Sequence, residues 1–248
     1  MSRQRGYELE VIAFDTASCR IAQEAGADRI ELCANPLEGG TTPSHGMIRK
    51  ARTIATIQLF PIIRPRGGDF VYTDDEFDVM KQDVLYCKEV GCDGVVIGLL
   101  KKDGTVDVER TSQLVQLAYP LGVTFHRAID HSVNMEEALE AIISCGCERI
   151  LTSGGKPTAP EGAEKIAQLI KLADGRIDIM PGSGIRSGNI VELAKATGAR
   201  VFHSSARVNL PSSSEHVNPL LAAETGHSSL SKNEVEALVQ ALDGHFWS

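Results

Sequence analysis

Four times along the chain an amphipathic stretch ends at a glycine and is followed at once by a short apolar run. The copies are EAGADRIEL at Gly26, EVGCDGVVIG at Gly91, SCGCERILTSG at Gly146 and ATGARVFHSS at Gly198. Each reads as a helix closed by a residue that tolerates positive φ, then a strand. The intervals are too long for one βα unit, which needs about 30 residues, and suit two. Between the copies lie the apolar runs LEVIAF (9–14), QLFPIIRP (58–65), GVTFHRA (122–128) and IDIMPGSG (177–184), so eight strands are predicted. The connecting segments predict helices around 16–25, 44–55, 74–89, 107–118, 134–144, 160–173, 187–196 and 231–243. The last opens on SKNE, a capping box in which Ser231 and Glu234 satisfy each other's backbone donors.

Eight strands alternating with eight helices in 248 residues give an α/β chain whose count and size match a single (β/α)8 TIM barrel. An open doubly wound sheet is the alternative, but the fourfold recurrence of paired units suits a closed ring better. No linker divides 1–248, so one domain is expected. A long polar segment at 208–229 follows the eighth strand; such loops serve as lids or interfaces, or stay disordered.

In a barrel, alternate strand residues face the lumen, and the large apolar side chains mark the helix-facing parity. Ile30 and Leu32 then face the helices, while Arg29, Glu31 and Cys33 face inward. The same rule turns Glu8, Glu10 and Ile12 inward on the first strand, Ile62, Arg64 and Arg66 on the third, and Thr124 and His126 on the fifth. A lumen this charged is costly unless its groups are paired, so Glu10, Glu31, Arg64 and His126 are expected to meet in one network. A purely structural ion cluster is the plainer reading.

Position adds a chemical reading, because active sites in such barrels lie at the C-terminal ends of the strands. His126 is placed as general acid or base, with Glu31 orienting it or sharing its proton and Glu10 beside them. Arg64, Arg66 and Arg127 supply positive charge, and Gly182, Ser183, Gly184, Ser204 and Arg207 after the last two strands form a candidate anion cradle. Lys101 and Lys156 fall beyond strands 4 and 6, where Schiff-base chemistry is a minor alternative. GxSxG, HExxH and GxxxxGK[ST] motifs are absent from the sequence.

Composition narrows the setting. A net charge of -8 without a Lys/Arg-rich run argues against nucleic acid or an anionic membrane as partner. No window approaches a membrane span, and the start MSRQRGYELEV lacks the apolar run of a signal peptide. A cytoplasmic protein with six reduced thiols is expected. The tail HFWS carries Phe246 and Trp247, aromatics that either pack back on the barrel or support a homodimer or higher homo-oligomer.

Five motifs in order, ADRIELCANPLEGGTTPSHGMI, IIRPRGGDFVY, DGVVIGLLKKDGTVD, VTFHRAID and RILTSGG, resemble the bacterial copper homeostasis (CutC) family from about Leu9 to Arg207. The resemblance implies a (β/α)8 barrel, a cytoplasmic oligomer, a link to copper tolerance and a possible Cu(I) ion as cargo or cofactor held by cysteines. Many relatives carry a cysteine where this chain has Ile12, so Cys33 alone remains of that implied metal pair. Three readings follow: a copper-handling protein, a barrel enzyme acting on a small anionic or phosphorylated substrate, and a non-catalytic scaffold.

Overall fold

The computed structural model describes residues 6–216 and 218–247; the charged start MSRQR, Val217 and the final Ser248 lie outside the described residues. Eight parallel strands build the wall: β1 (Glu8–Ala13), β2 (Arg29–Leu32), β3 (Gln58–Pro61), β4 (Gly94–Ile97), β5 (Gly122–Phe125), β6 (Arg149–Thr152), β7 (Asp178–Pro181) and β8 (Val201–Ser204). They pair as two four-stranded sheets, β3-β2-β1-β8 and β4-β5-β6-β7. Ile62 bridges to Val96, where the Ile63 N–H donates to the Val96 carbonyl at 2.8 Å and stitches β3 to β4. β7 packs beside β8 and completes the ring.

Alternation decides which side chains enter that ring. Leu9, Val11, Ile30, Leu32, Val95, Phe125, Ile150 and Phe202 are buried against the helices. Their neighbours Glu10, Arg29, Glu31, Thr124, Arg149 and His203 are buried as well. The register sets Glu10 opposite Arg29 on β2 and opposite His203 on β8, which brings opposite charges side by side inside the wall.

The outer layer is α1 (Thr16–Glu24), α2 (His45–Ile54), α3 (Asp74–Val90), α4 (Val108–Ala118), α5 (Met135–Cys145), α6 (Ala163–Ala173), α7 (Ile190–Thr197) and α8 (Lys232–Phe246). The four glycines read as punctuation, Gly26, Gly91, Gly146 and Gly198, all take positive φ. At the start of α8 only half of the expected capping box forms. Ser231 Oγ accepts from the Glu234 N–H at 3.3 Å, but the Ser231 N–H already donates to the Ala206 carbonyl. The Glu234 carboxylate instead accepts from the Ser187 N–H at 2.8 Å and from its hydroxyl at 3.1 Å.

Several strands stop sooner than the apolar runs suggest. β5 ends at Phe125 because His126 caps a 3-10 turn over Arg127–His131, accepting the Ala128 N–H on Nδ1. β3 ends at Pro61, which leaves Arg64 and Arg66 in the following loop. The polar segment expected to be irregular contains an antiparallel hairpin, β9 (Arg207–Leu210) and β10 (His227–Leu230), joined through a 3-10 turn at Pro219–Glu224. In the tail, Phe246 folds back against Tyr7 and Phe202, with ring centroids 5.6 and 6.5 Å away, while Trp247 is 57% exposed.

Candidate functional site

A cavity of about 300 Å³ opens at the C-terminal mouth of the barrel, lined by polar and apolar groups from most of the strands. Glu31 and His203 form part of its floor with Ile12, Ile62 and Leu151, and Arg64, His126, Arg127, Ser183, Gly184 and Arg207 stand around it. The mouth of the barrel therefore gathers seven of the residues expected from the sequence. It does not gather all of them, and the network they were expected to form is different.

The floor is a carboxylate–imidazole–carboxylate row. His203 Nδ1 lies 2.7 Å from Glu10 Oε1, and His203 Nε2 lies 3.8 Å from Glu31 Oε2. Glu10 sits below the cavity, where its second oxygen meets Arg29 Nε at 2.6 Å. Arg29 continues downward to Thr124 Oγ1 and Glu148, with its guanidinium 3.3 Å above the Phe60 ring. Burial alone pushes the Glu10 carboxyl up; the Arg29 guanidinium and the His203 hydrogen bond overturn that and hold it at about 2. Glu31 has no such cation in contact, and burial raises it to about 7, with the Glu10 charge adding to the rise and His203 opposing it. His203 is raised: burial works against its charged form, but the Glu10 hydrogen bond and the two carboxylates outweigh burial. Glu31, raised to about 7, thus stands at the cavity surface beside a His203 whose charged form is favoured by Glu10 and Glu31, a pairing of the kind general acid–base chemistry uses.

His126 and Arg64 do not join this row, which corrects the expected four-residue network. The His126 ring is held by the Ala128 N–H on Nδ1 at 3.1 Å and by the Phe70 ring, 5.0 Å between centroids. Gly98 is required beside it, since a Cβ there would overlap the ring. Burial, and then the Arg64 charge, push His126 down to about 3. It is neutral across the physiological range, so the expected acid–base role passes to Glu31 and His203. With Nδ1 accepting, the proton resides on Nε2, and that nitrogen has no hydrogen-bond partner among the described residues. Arg64 is buried and fastened by carbonyl oxygens: Nη1 to Glu38 and Gly40 at 2.7 and 2.9 Å, Nη2 to Gly68 at 2.7 Å. It braces the loops after β2 and β3 while leaving its positive charge at the cavity wall.

The remaining expected residues divide. Arg127 lines the cavity, aligned by Asp130 at 2.8 Å and by the Ser153 hydroxyl; Asp130 itself accepts from Thr152, Ser153 and Gly155. Arg207 reaches across the mouth to the Pro36 carbonyl at 3.4 Å. Ser183 and Gly184, both at positive φ, line the cavity. Arg66 does not: it lies past the end of β3, paired with Glu76 at 2.6 Å and Asp69 at 3.0 Å. Ser204 shares the helix-facing parity of Phe202 and donates to the Ile185 carbonyl, so it lies outside the lumen. Gly182 is not a cavity donor either; its missing side chain makes room for Leu151 and His203.

Copper fits these donors poorly. Cu(I) favours thiolates, and Cys33 is a buried thiol packed with Phe60, Ile62 and Val96 that donates to Glu31. Burial and then the Glu31 charge push it well above the usual thiol range, which holds it protonated. Cys19 and Cys87 lie in helices, Cys145 closes α5, and Cys92 and Cys147 precede β4 and β6 at the opposite end of the barrel. Glu10, Glu31 and His203 offer three ligand atoms within 4.8 Å, but both Glu10 oxygens are already taken by His203 and Arg29.

His203 escaped the sequence reading although its signal is present: Phe202 in ARVFHSS fixes the helix-facing parity, so its neighbour must point inward. The sequence profile of the CutC family matches residues 7–208. A Chromobacterium violaceum "family protein CutC" is 49% identical over 241 residues, covering 95% of this chain and 98% of its own. A Vibrio cholerae protein of the same name is 49% identical over 208 residues, 83% of this chain and 82% of its own. Among solved structures, CutC of Streptococcus agalactiae, a candidate copper homeostasis protein, superposes with a TM-score of 0.77 at 32% identity over 80% of this chain and 98% of its own. The thiamine phosphate pyrophosphorylase of Pyrococcus furiosus, at 19% identity, TM-score 0.59 and 97% coverage of both chains, shares the fold alone.

Proposed function

The chain belongs to the CutC family, and from that premise we propose that it is a single-domain cytoplasmic barrel enzyme that moves a proton on a small anionic substrate bound at the mouth. The observation that carries this reading is Glu31, raised to about 7, standing 3.8 Å from His203 on the floor of a cavity edged by Arg64, Arg127 and Arg207. Local positive charge in an acidic protein attracts a small anion, and arginine recognises carboxylate or phosphate by charge-assisted hydrogen bonds. Glu10 is the positioning residue, fixing the His203 tautomer from below, and Arg29 fixes Glu10 in turn.

The copper role attached to relatives would rest on Cys33 alone, a buried thiol that does not itself line the cavity, and no cysteine is among the described lining residues. One titration series separates the two readings: calorimetry with inorganic phosphate, a panel of small sugar phosphates and hydroxy acids, and Cu(I) under anaerobic competition. We expect at least one organic anion to bind, and Arg127→Ala or Arg207→Ala to weaken it about tenfold. Stoichiometric Cu(I) binding that depends on Cys33, with no anion bound by the unmutated protein, overturns the enzyme reading.

A further inference from the structure

The three arginines that line the cavity are not paired alike. Arg127 carries its own counter-ion, with Asp130 at 2.8 Å from Nε. Arg64 is bonded to three carbonyl oxygens and Arg207 to one at 3.4 Å, and among the described residues neither has a carboxylate within ion-pair distance. Glu10 is committed to Arg29 and His203, and Glu31, raised to about 7, offsets only part of one charge. The cavity therefore keeps more than one positive charge in a protein whose net charge is -8, and a ligand that supplies the missing negative charge is favoured there. Two of the arginines also keep donors in hand. The Nε and Nη2 edge of Arg127 is taken by Asp130 and by the Ser153 hydroxyl at 2.8 Å, which leaves Nη1 without a partner among the described residues. Arg207 makes its single contact through Nη1, which leaves Nε and Nη2 free in the same sense. Arg64 is buried and its two Nη atoms are satisfied, so it contributes field and not contact.

The two forks stand on opposite sides of the mouth. Arg127 follows β5 and is tied toward the end of β6 through Ser153. Arg207 follows β8 and reaches past β1 to the carbonyl of Pro36, beyond β2, and Pro36 itself lines the cavity. The floor between them carries Ile12, Ile62 and Leu151 beside Glu31 and His203. At about 300 Å³ the cavity is at the small end of ligand pockets, so one short molecule can reach both walls. We infer that the substrate is a short aliphatic dianion with a carboxylate or phosphate at each end, one end held by Arg127, the other by Arg207, and its hydrocarbon stretch lying over the apolar part of the floor. This inference rests on the acid–base reading of Glu31 and His203. A molecule tied at both ends is held in one orientation, so the proton that Glu31 takes or returns belongs to the stretch between the two charged groups. A molecule with a single charge satisfies one fork and leaves the other guanidinium uncompensated, and it forgoes a charge-assisted contact worth about tenfold or more in affinity.

The test is calorimetry of the full chain with succinate, glutarate and phosphoglycolate as two-ended probes, and with butyrate and monomethyl succinate as one-ended probes of similar length. At least one two-ended probe should bind about tenfold or more tighter than both one-ended probes. Monomethyl succinate removes a charge from the ligand and leaves the protein intact, so this arm needs no variant to fold. In Arg207→Met, which keeps the side-chain stem at an exposed position, the two-ended probe should fall to within about twofold of butyrate while butyrate itself changes by no more than about twofold, since Arg127 still holds it. Raising the salt concentration should weaken the two-ended probe more steeply than butyrate. Tighter binding of phosphoglycolate than of both dicarboxylates assigns phosphate to one end, and the reverse ranking assigns carboxylate to both; either supports the dianion. Two-ended probes that bind no tighter than butyrate overturn it, as does an Arg207→Met protein that loses butyrate as severely as the dianion, because both arginines then serve one subsite. Those results leave the acid–base reading standing, since an organic anion still binds. Absence of all anion binding by the unmutated protein, inorganic phosphate included, overturns both.

Discussion

Replacing Glu10 by Gln keeps the side chain's shape, removes its charge and strands Arg29. In the native barrel that guanidinium is about as buried as any side chain in the protein, and its close carboxylate is Glu10 at 2.6 Å; Glu148, at 3.5 Å, is half exposed. Glu10 stands at about 2 against an ordinary 4.5, and at about 1.4 kcal/mol per pH unit the difference is worth about 3 kcal/mol at neutral pH. Breaking a buried pair from one side costs about 3–5 kcal/mol, so the two routes agree. The pKa is depressed, so this stability is present above about 4.5 and is lost as pH falls through about 2. Guanidinium denaturation of Glu10→Gln should accordingly show a loss of about 3 kcal/mol at pH 7 that shrinks steadily below pH 4. The double variant Glu10→Gln/Arg29→Met, which removes both charges, should recover at least part of the loss. A single variant within about 0.5 kcal/mol of the unmutated protein at pH 7, or a double variant weaker than the single, refutes the reasoning.

Glu31 should behave in the opposite sense. Its pKa is raised, so its contribution is present below about 4.5 and lost as pH rises through about 7; the groups facing it are His203, Glu10, Arg29 and Cys33. Stability of Glu31→Gln should therefore fall less between pH 5 and 8 than that of the unmutated protein, by about 1–3 kcal/mol, and an equal fall defeats the assignment. Gly98→Ala drives a methyl group onto the His126 ring and Ala128; we expect about 1–3 kcal/mol of destabilisation and a displaced His126 Nε2–H resonance, and an unchanged spectrum counts against the close approach. Trp247, Leu37 and Leu220 are exposed, and light scattering at micromolar concentration should give a dimer or larger, reduced by Trp247→Ala; a monomeric mass removes self-association.

The fold was legible because strand and helix patterns alternate and because glycines mark the ends of four helices, α1, α3, α5 and α7. Arg29, Glu31 and Glu10 were also legible, since parity holds as long as a strand runs. The same rule would have supplied His203 and excluded Ser204, both read against Phe202. Arg66 marks where it stops: beyond Ile63 the backbone leaves the ladder and alternation no longer says where a side chain points, whereas His126, whose N–H still donates to Ile97, keeps the inward side that parity gave it. Which partners a lumen charge chooses is set by neighbours distant in sequence. Arg64 found three carbonyl oxygens where a carboxylate was expected, and Arg66 found Glu76 and Asp69. The Nε2–H of His126 depends on a tautomer fixed by one backbone N–H, and no residue pattern announces that.

The two sheets divide the ring out of step with the chain: β8 belongs with β1, β2 and β3, so one half of the wall is assembled from both ends of the sequence. Gly6 lies against Phe246, and Tyr7 hydrogen-bonds to Asp243 at 2.8 Å, so a short peptide can join residue 6 to residue 247. Opening the chain within the loop between β3 and α3 then yields a circular permutant in which β4–β7 and β8–β1–β2–β3 are each continuous. In that rearranged gene the seam between β7 and β8 becomes the midpoint. Glu10, Glu31 and His203 would then be encoded in one contiguous segment and His126 and Arg127 in the other, so that the two pieces could be expressed apart and the cavity restored by mixing them.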